Sequence, residues 1–193
     1  MDIYQSPFSL FARTTQLLPC RDRDRSCPEG KRVFDNKDDI RNAADAYLIS
    51  PFGPPPNCWD VSRVTDMSYL FDGAKTFNEP IGDWDTSRVT NMEGMFLRAL
   101  AFNQPIGDWD TSAVTNMFMM FGGASSFNQD ISGWDVSAAT ALDQMFFQAT
   151  LFKQNMCAWK DITAGANQFN MFFQTSCPFQ FTNNGNFCTS CSV

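Results

Sequence analysis

The sequence predicts an α/β fold built as a short solenoid, in which 25-residue coils each carry a very short parallel strand and a short helix. Three observations predict it. Trp59, Trp84, Trp109, Trp134 and Trp159 are evenly spaced by 25 residues. Counting each tryptophan as zero, other columns keep the same register: +12 is Phe71, Phe96, Phe121 and Phe146, +15 is Ala74, Ala99, Ala124 and Ala149, +18 is Phe77, Phe102, Phe127 and Phe152, and +22 is Ile81, Ile106, Ile131 and Met156. A unit this small cannot bury its own apolar face, so the units must stack end to end around a continuous core, with both ends covered.

Residues 1–33, including the charged RDRDRSCPEGKR, read as a poorly ordered leader. DNKDDIRNAADAYL (35–48) has a polar start, then Ile40, Ala43, Ala44, Tyr47 and Leu48 at helical spacing. It is expected to be an N-terminal cap helix, ended by PFGPPP (51–56), so that cap and Pro-rich connection occupy 34–58. Four regular coils follow over 59–158. Within one of them Val89, Met92, Met95, Phe96 and Ala99 are separated by 3, 3, 1 and 3, the spacing of one helical face. Thr90 with Glu93, and Thr140 with Asp143, fit the capping box that starts a helix. Gly73 and Gly122–Gly123 lie where such a helix would end.

The strand is expected around Ile81, Ile106 and Ile131. It must be about three residues long, because Pro80 and Pro105 precede the isoleucines and proline has no N–H for a ladder. Residues 159–193 form a degenerate fifth coil, with an echo in Met171, Phe172 and Phe173, and a Cys-rich C-terminal cap.

Composition narrows the function classes. Lys and Arg number 14 against 21 Asp and Glu, a net charge of −7, which disfavours nucleic acid and anionic membranes as partners. Histidine is absent, removing the commonest general acid–base and zinc ligand. No run is long enough to insert in a membrane. No secretory signal is legible, since FSLFARTTQLL (8–18) is interrupted by Arg13 and lacks a small-residue cleavage site. The seven cysteines cluster toward the ends, which reads as disulfide staples in an oxidising compartment.

The recurring W-D-x-S-x-V-T-x-M-x-x-M-F-x-x-A-x-x-F-N-x-x-I unit resembles the BspA-like leucine-rich-repeat surface proteins, over about residues 34–180 and most strongly 59–156. M-C-x-W at 156–159, T-S-C-P at 175–178 and C-x-x-C at 188–191 resemble the closing cap of algal members. The resemblance implies a right-handed LRR-like solenoid, extracellular or at the cell surface, acting in adhesion and protein binding. It supplies no catalytic residues.

The sharpest site candidate is the column Asp60, Asp85, Asp110 and Asp135, stacked carboxylates that repel by roughly 1 kcal/mol per pair in water. Asx turns within each D-x-S stretch would relieve this and would explain Ser62, Ser87, Ser112 and Ser137. Asp83 and Asp108 add a second acid in two coils, which raises calcium as a minor alternative. Thr65, Thr90, Thr115 and Thr140 raise ice binding, against helix capping. Asn78, Asn103 and Asn128 are expected inside, bonding the backbone of adjacent coils.

Cys157, Cys177, Cys188 and Cys191 are the disulfide candidates, with three pairings open. A redox pair needs a βαβ setting that is not predicted, and a zinc site of four scattered thiolates is the weaker alternative. The chain is therefore read as non-enzymatic and cofactor-free, a monomeric module for a protein or surface-glycan ligand. Binding is expected at columns where coils differ: +4 (Arg63, Arg88, Ala113, Ala138), beside Asp83, Asp85, Asp108 and Asp110, and +9/+10. Arg63 and Arg88 double as a charge-neutralising stripe. A structural role in a cell wall or matrix is the alternative.

Overall fold

The computed structural model describes residue 27 and residues 30–160, 165–178 and 188. Most of the expected leader, and Cys191 of the candidate staples, lie outside these residues. What is described of the leader is tied down. β1 (Arg32–Val33) pairs in parallel with β2 (Trp59–Asp60), Phe34 N–H donates to the Asp60 carbonyl at 3.0 Å, and Cys27 is disulfide-bonded to Cys58. So the leader expectation is corrected over its last residues. A two-residue strand with both side chains exposed has no apolar pattern to read.

Helix α1 (Lys37–Ile49) starts where its chemistry says it should. The Asn36 side chain accepts from Asp39 N–H at 3.0 Å, and Asp38 and Asp39 sit in the first turn, against the positive end of the helix dipole. Ile40, Ala43 and Ala44 are buried, while Leu48 and Ile49 stay exposed. The helix lies on the outer edge of the first repeat. Arg41 Nη1 donates to the Tyr69 carbonyl at 2.9 Å, and Lys37 Nζ reaches Asp66 Oδ2 at 3.3 Å and Ser68 Oγ.

Successive 25-residue repeats lie one on the next, but not through the elements expected. No strand forms around Ile81, Ile106 or Ile131. Parallel bridges run instead through Asp66, Asn91, Asn116 and Ala141, at +7, and on to Asn167, which lies one residue later in the fifth repeat. At the isoleucines the repeats meet without a ladder. The Ile81 and Ile106 carbonyls take the indole N–H of Trp109 and Trp134, at 3.1 and 3.0 Å, and the prolines contribute no donor.

The expected helix is absent too; residues 92–99 form consecutive turns. Two positions per repeat have left-handed backbone. At +10 these are Tyr69, Gly94, Met119 and Gln144, with Asn170 in the fifth repeat; at +14 they are Gly73, Arg98, Gly123 and Gln148, with Gln174. Each such residue ends a turn before it can continue as a helix. Turn bonds then alternate with bonds between repeats. Met95 N–H donates to Met92 O and Ala99 N–H to Phe96 O, while Gly94, Phe96 and Arg98 donate to Phe118, Met120 and Gly122 of the next repeat, at 2.7–2.9 Å. Chained turns share the 3-and-4 spacing of a helix, which is why the pattern read as one.

The capping boxes also dissolve. Thr90, Thr115 and Thr140 Oγ1 donate to the carbonyl of the threonine one repeat earlier, at 3.1–3.2 Å. The turn is capped one residue later, where Asn91 Oδ1 accepts from Glu93 N–H and Asn116 Oδ1 from Phe118 N–H. Asn78, Asn103 and Asn128 do bond the next repeat's backbone, as expected, but from exposed or half-buried rather than interior positions.

The core is one cluster of stacked columns. Tryptophan rings repeat at 6.0–6.2 Å from Trp59 to Trp134. The +12 phenylalanines repeat at 5.5–5.7 Å through to Phe172, and each of Phe71, Phe96, Phe121 and Phe146 pairs with its own +18 ring at 3.8–4.0 Å. These are offset stacks, each worth ~0.5–1.5 kcal/mol beyond burial. Cys177 is bonded to Cys188, and Cys157 is also disulfide-bonded. A 31-residue separation such as Cys27–Cys58 contributes about 3–4 kcal/mol by restricting the unfolded chain.

Two predictions follow from this packing and cross-linking. A Cβ at Gly94 would meet the Tyr69 ring at 2.5 Å in a left-handed residue, whereas one at Gly82 would meet the Pro105 carbonyl at 2.6 Å. Gly94→Ala should cost ~1–3 kcal/mol in urea unfolding and recover part of it in a Tyr69→Ala background. Gly82→Ala, facing rigid backbone, should not be relieved by Tyr69→Ala. Alkylation without reductant, followed by peptide mapping, should leave Cys27, Cys58, Cys157, Cys177 and Cys188 unlabelled.

Candidate functional site

The outside of the stack divides into two kinds of surface. One carries +1, +3, +4 and +6, the Asp, Ser, Arg/Ala and Thr columns. Each aspartate there closes an Asx turn on itself: Asp60, Asp85 and Asp110 Oδ1 accept both N–H and Oγ–H of Ser62, Ser87 and Ser112, at 2.6–3.1 Å, and Asp135 Oδ1 accepts from Ser137 N–H at 2.9 Å. The serine bonds hold the carboxyls of Asp60, Asp110 and Asp135 below the ordinary aspartate value. For Asp110 the neighbouring Asp135 charge pushes the other way and is outweighed. The repulsion expected along the column is therefore offset by local donors.

Asp83 and Asp108 are exposed beside Asp85 and Asp110, and among the described residues no three acids or cysteines gather as a metal-ligand group. Arg63 is drawn off the stripe to Asp35, at 2.8 Å, a pair with both side chains more than 60% exposed and of little energetic weight. Arg88 is exposed and makes no ion pair with a described residue. At this column the repeats differ, as the sequence reading required, but the two arginines do not act together.

The second surface is the outer side of the bridged segments, at +9, +10, +13 and +14. Here chemistry changes from repeat to repeat. Position +9 reads Ser68, Glu93, Phe118 and Asp143, and +13 reads Asp72, Leu97, Gly122 and Phe147; in the fifth repeat, shifted by one residue, their counterparts are Phe169 and Phe173. Leu97 apart, the first two repeats are polar at these columns and paired with each other. Tyr69 O–H donates to Glu93 Oε1, which pushes the phenol up to about 12, and Arg98 Nη2 bonds Asp72 at 2.8 Å. Later repeats place Phe118, Met119, Phe147 and Phe173 half-exposed, and Phe169 is 64% exposed. The Phe147 and Phe173 rings stack at 5.4 Å. Sequence reasoning named +9/+10 but missed +13. The signal was legible: +13 varies between repeats while +11 and +12 stay apolar throughout.

The chain belongs to the family described as "Mycoplasma protein of unknown function, DUF285", whose model matches residues 49–159 and again 83–184. No curated protein and no solved structure matches it. Among the described residues no helix is long and apolar enough to cross a membrane.

The Asx column sets an acid response. A carboxyl whose folded pKa lies below its unfolded value contributes stability that is complete above about pH 4 and is lost as pH falls through the lowered value. Ser112→Ala removes one donor to Asp110. It should move the NMR-titrated Asp110 pKa upward toward the ordinary value of 3.8, with Asp135 unmoved.

Proposed function

We propose that the protein is a non-enzymatic protein-binding or adhesion module of the BspA-like leucine-rich-repeat type, a right-handed LRR-like solenoid acting outside the cell or at its surface. The observation that carries this reading is the contrast between the two surfaces. The Asp–Ser pairs hold their own turns, and the hydroxyls of Thr90, Thr115 and Thr140 bond the preceding repeat. The bridged face instead varies from repeat to repeat and leaves aromatic side chains in contact with solvent, against the general tendency to bury them. Repeat proteins present variable residues on one face of a rigid stack to recognise partners.

The disulfides accord with an oxidising compartment, and so with the extracellular placement. A non-enzymatic role is supported by a sequence without histidine and by acids already engaged with serine donors. Open-ended stacking into a matrix is disfavoured at one end, where α1 covers the first repeat and Arg41 takes the Tyr69 carbonyl.

A photo-crosslinker at position 147 tests the reading on the source cells' surface and secreted fractions. A discrete partner should be captured there and not from position 110. Equal capture from both positions would sink the proposal. Light scattering over a hundredfold concentration range should report a constant mass; steady growth would favour the matrix role.

A further inference from the structure

From Arg98 to Lys153 the chain has no lysine or arginine in between, while Asp108, Asp110, Asp130, Asp135 and Asp143 all fall in that stretch. This stretch supplies the bridged face of the third and fourth repeats. At +9, Glu93 and Asp143 occupy the repeats on either side of Phe118. Neither pairs with a cation among the described residues: Glu93 accepts from Tyr69 O–H and from Asn116 Nδ2 at 3.0 Å, and Asp143 accepts from Phe169 N–H at 3.2 Å. Arg98, at +14 of the second repeat, is held by Asp72. The same segments carry the half-exposed rings of Phe118 and the stacked Phe147–Phe173 pair.

An aromatic platform flanked by carboxylates, with no built-in cation, complements one chemistry above others. A guanidinium or ammonium gains from the ring quadrupole and from the carboxylates together, and its aliphatic stem covers apolar surface. Anionic membranes and nucleic acids are repelled by the acids, and a second copy of this chain brings the same net charge of −7.

We propose that the bridged face of the second to fifth repeats docks a cationic, apolar-bearing peptide segment of a partner protein, with Phe118, Phe147, Phe173 and Phe169 as the platform and Glu93 and Asp143 as the charge partners. This rests on the reading of that face as the binding surface and adds the partner's chemistry. Carboxylates at the flanks steer association and set specificity, while the rings supply most of the affinity.

The probes are four labelled synthetic 15-mers, followed by fluorescence anisotropy: alternating Arg and Leu/Phe, the same with Glu for Arg, the same with Ser for Arg, and Arg spaced by Gly-Ser. Only the first should bind saturably. Phe169→Ser and Phe147→Ser should each weaken it about tenfold. Asp143→Asn, which keeps an acceptor for Phe169 N–H, should weaken it several-fold and flatten its salt dependence. Asp110→Asn, on the other surface, should leave it unchanged. Equal binding of the Arg/Gly-Ser peptide, or equal loss in Asp110→Asn, would reduce the effect to overall acidity and overturn the proposal. Binding of the Glu or Ser peptide that is lost in Phe169→Ser would also overturn it, while leaving the face itself a binding surface. Binding by none of the four, with a concentration-dependent dimer abolished by Phe169→Ser, would make a second copy the occupant. Failure of the position-147 crosslinker to capture any partner counts against the binding reading as a whole.

Discussion

Alternate N–H groups of each bridged segment point at the next repeat, and the rest of the structure depends on that. A helix would turn all of them inward along its own axis; a strand would leave none for its own turns. This chain does both by placing a left-handed residue at +10 and +14 of every repeat. Most of those residues are not glycine, and a non-glycine residue in that region costs about 1 kcal/mol or more. The cost is borne because the alternative leaves buried donors without partners, which costs ~1–3 kcal/mol each. At Gly94 the Tyr69 ring leaves no room for a side chain, whereas Gly73 faces open space.

Once the repeats are held in that register, side chains of one column must lie over one another. In the core this makes the tryptophan and phenylalanine stacks, whose offset geometry is favourable and whose repetition is self-reinforcing. On the outside the same constraint would place like charges in rows. The aspartate row survives because each carboxylate is given donors by its own serine. The threonine row survives because each hydroxyl donates backward to the preceding repeat, a bond a helix cap would have forgone. A regular surface of this kind is largely self-satisfied, so recognition falls to the columns that the register leaves free to vary.

The ends obey the same logic. The first repeat presents carbonyls with no preceding repeat to use them, and α1 answers at Tyr69 with Arg41, while Lys37 holds the side chains of Asp66 and Ser68. The Cys27–Cys58 bond then ties the chain before β1 to the start of the first repeat.

The periodicity, the core columns, the cap helix and the Asx role of the aspartates were legible in the sequence. Each depends on residue type at fixed spacing, and one-dimensional spacing survives folding unchanged. Which backbone carried the spacing was not legible. Val89, Met92, Met95, Phe96 and Ala99 suit a helix and a chain of turns equally, because both bring every third or fourth residue inward. Only the packed repeats decide, since the bonds that select turns run to residues 24 positions away, as from Gly94 to Phe118. The +13 column and the isolated stretch of uncompensated acids were present as letters too. Their meaning as one surface came from the tertiary register, which aligns Phe147 with Phe173 and sets Glu93 and Asp143 to either side of Phe118.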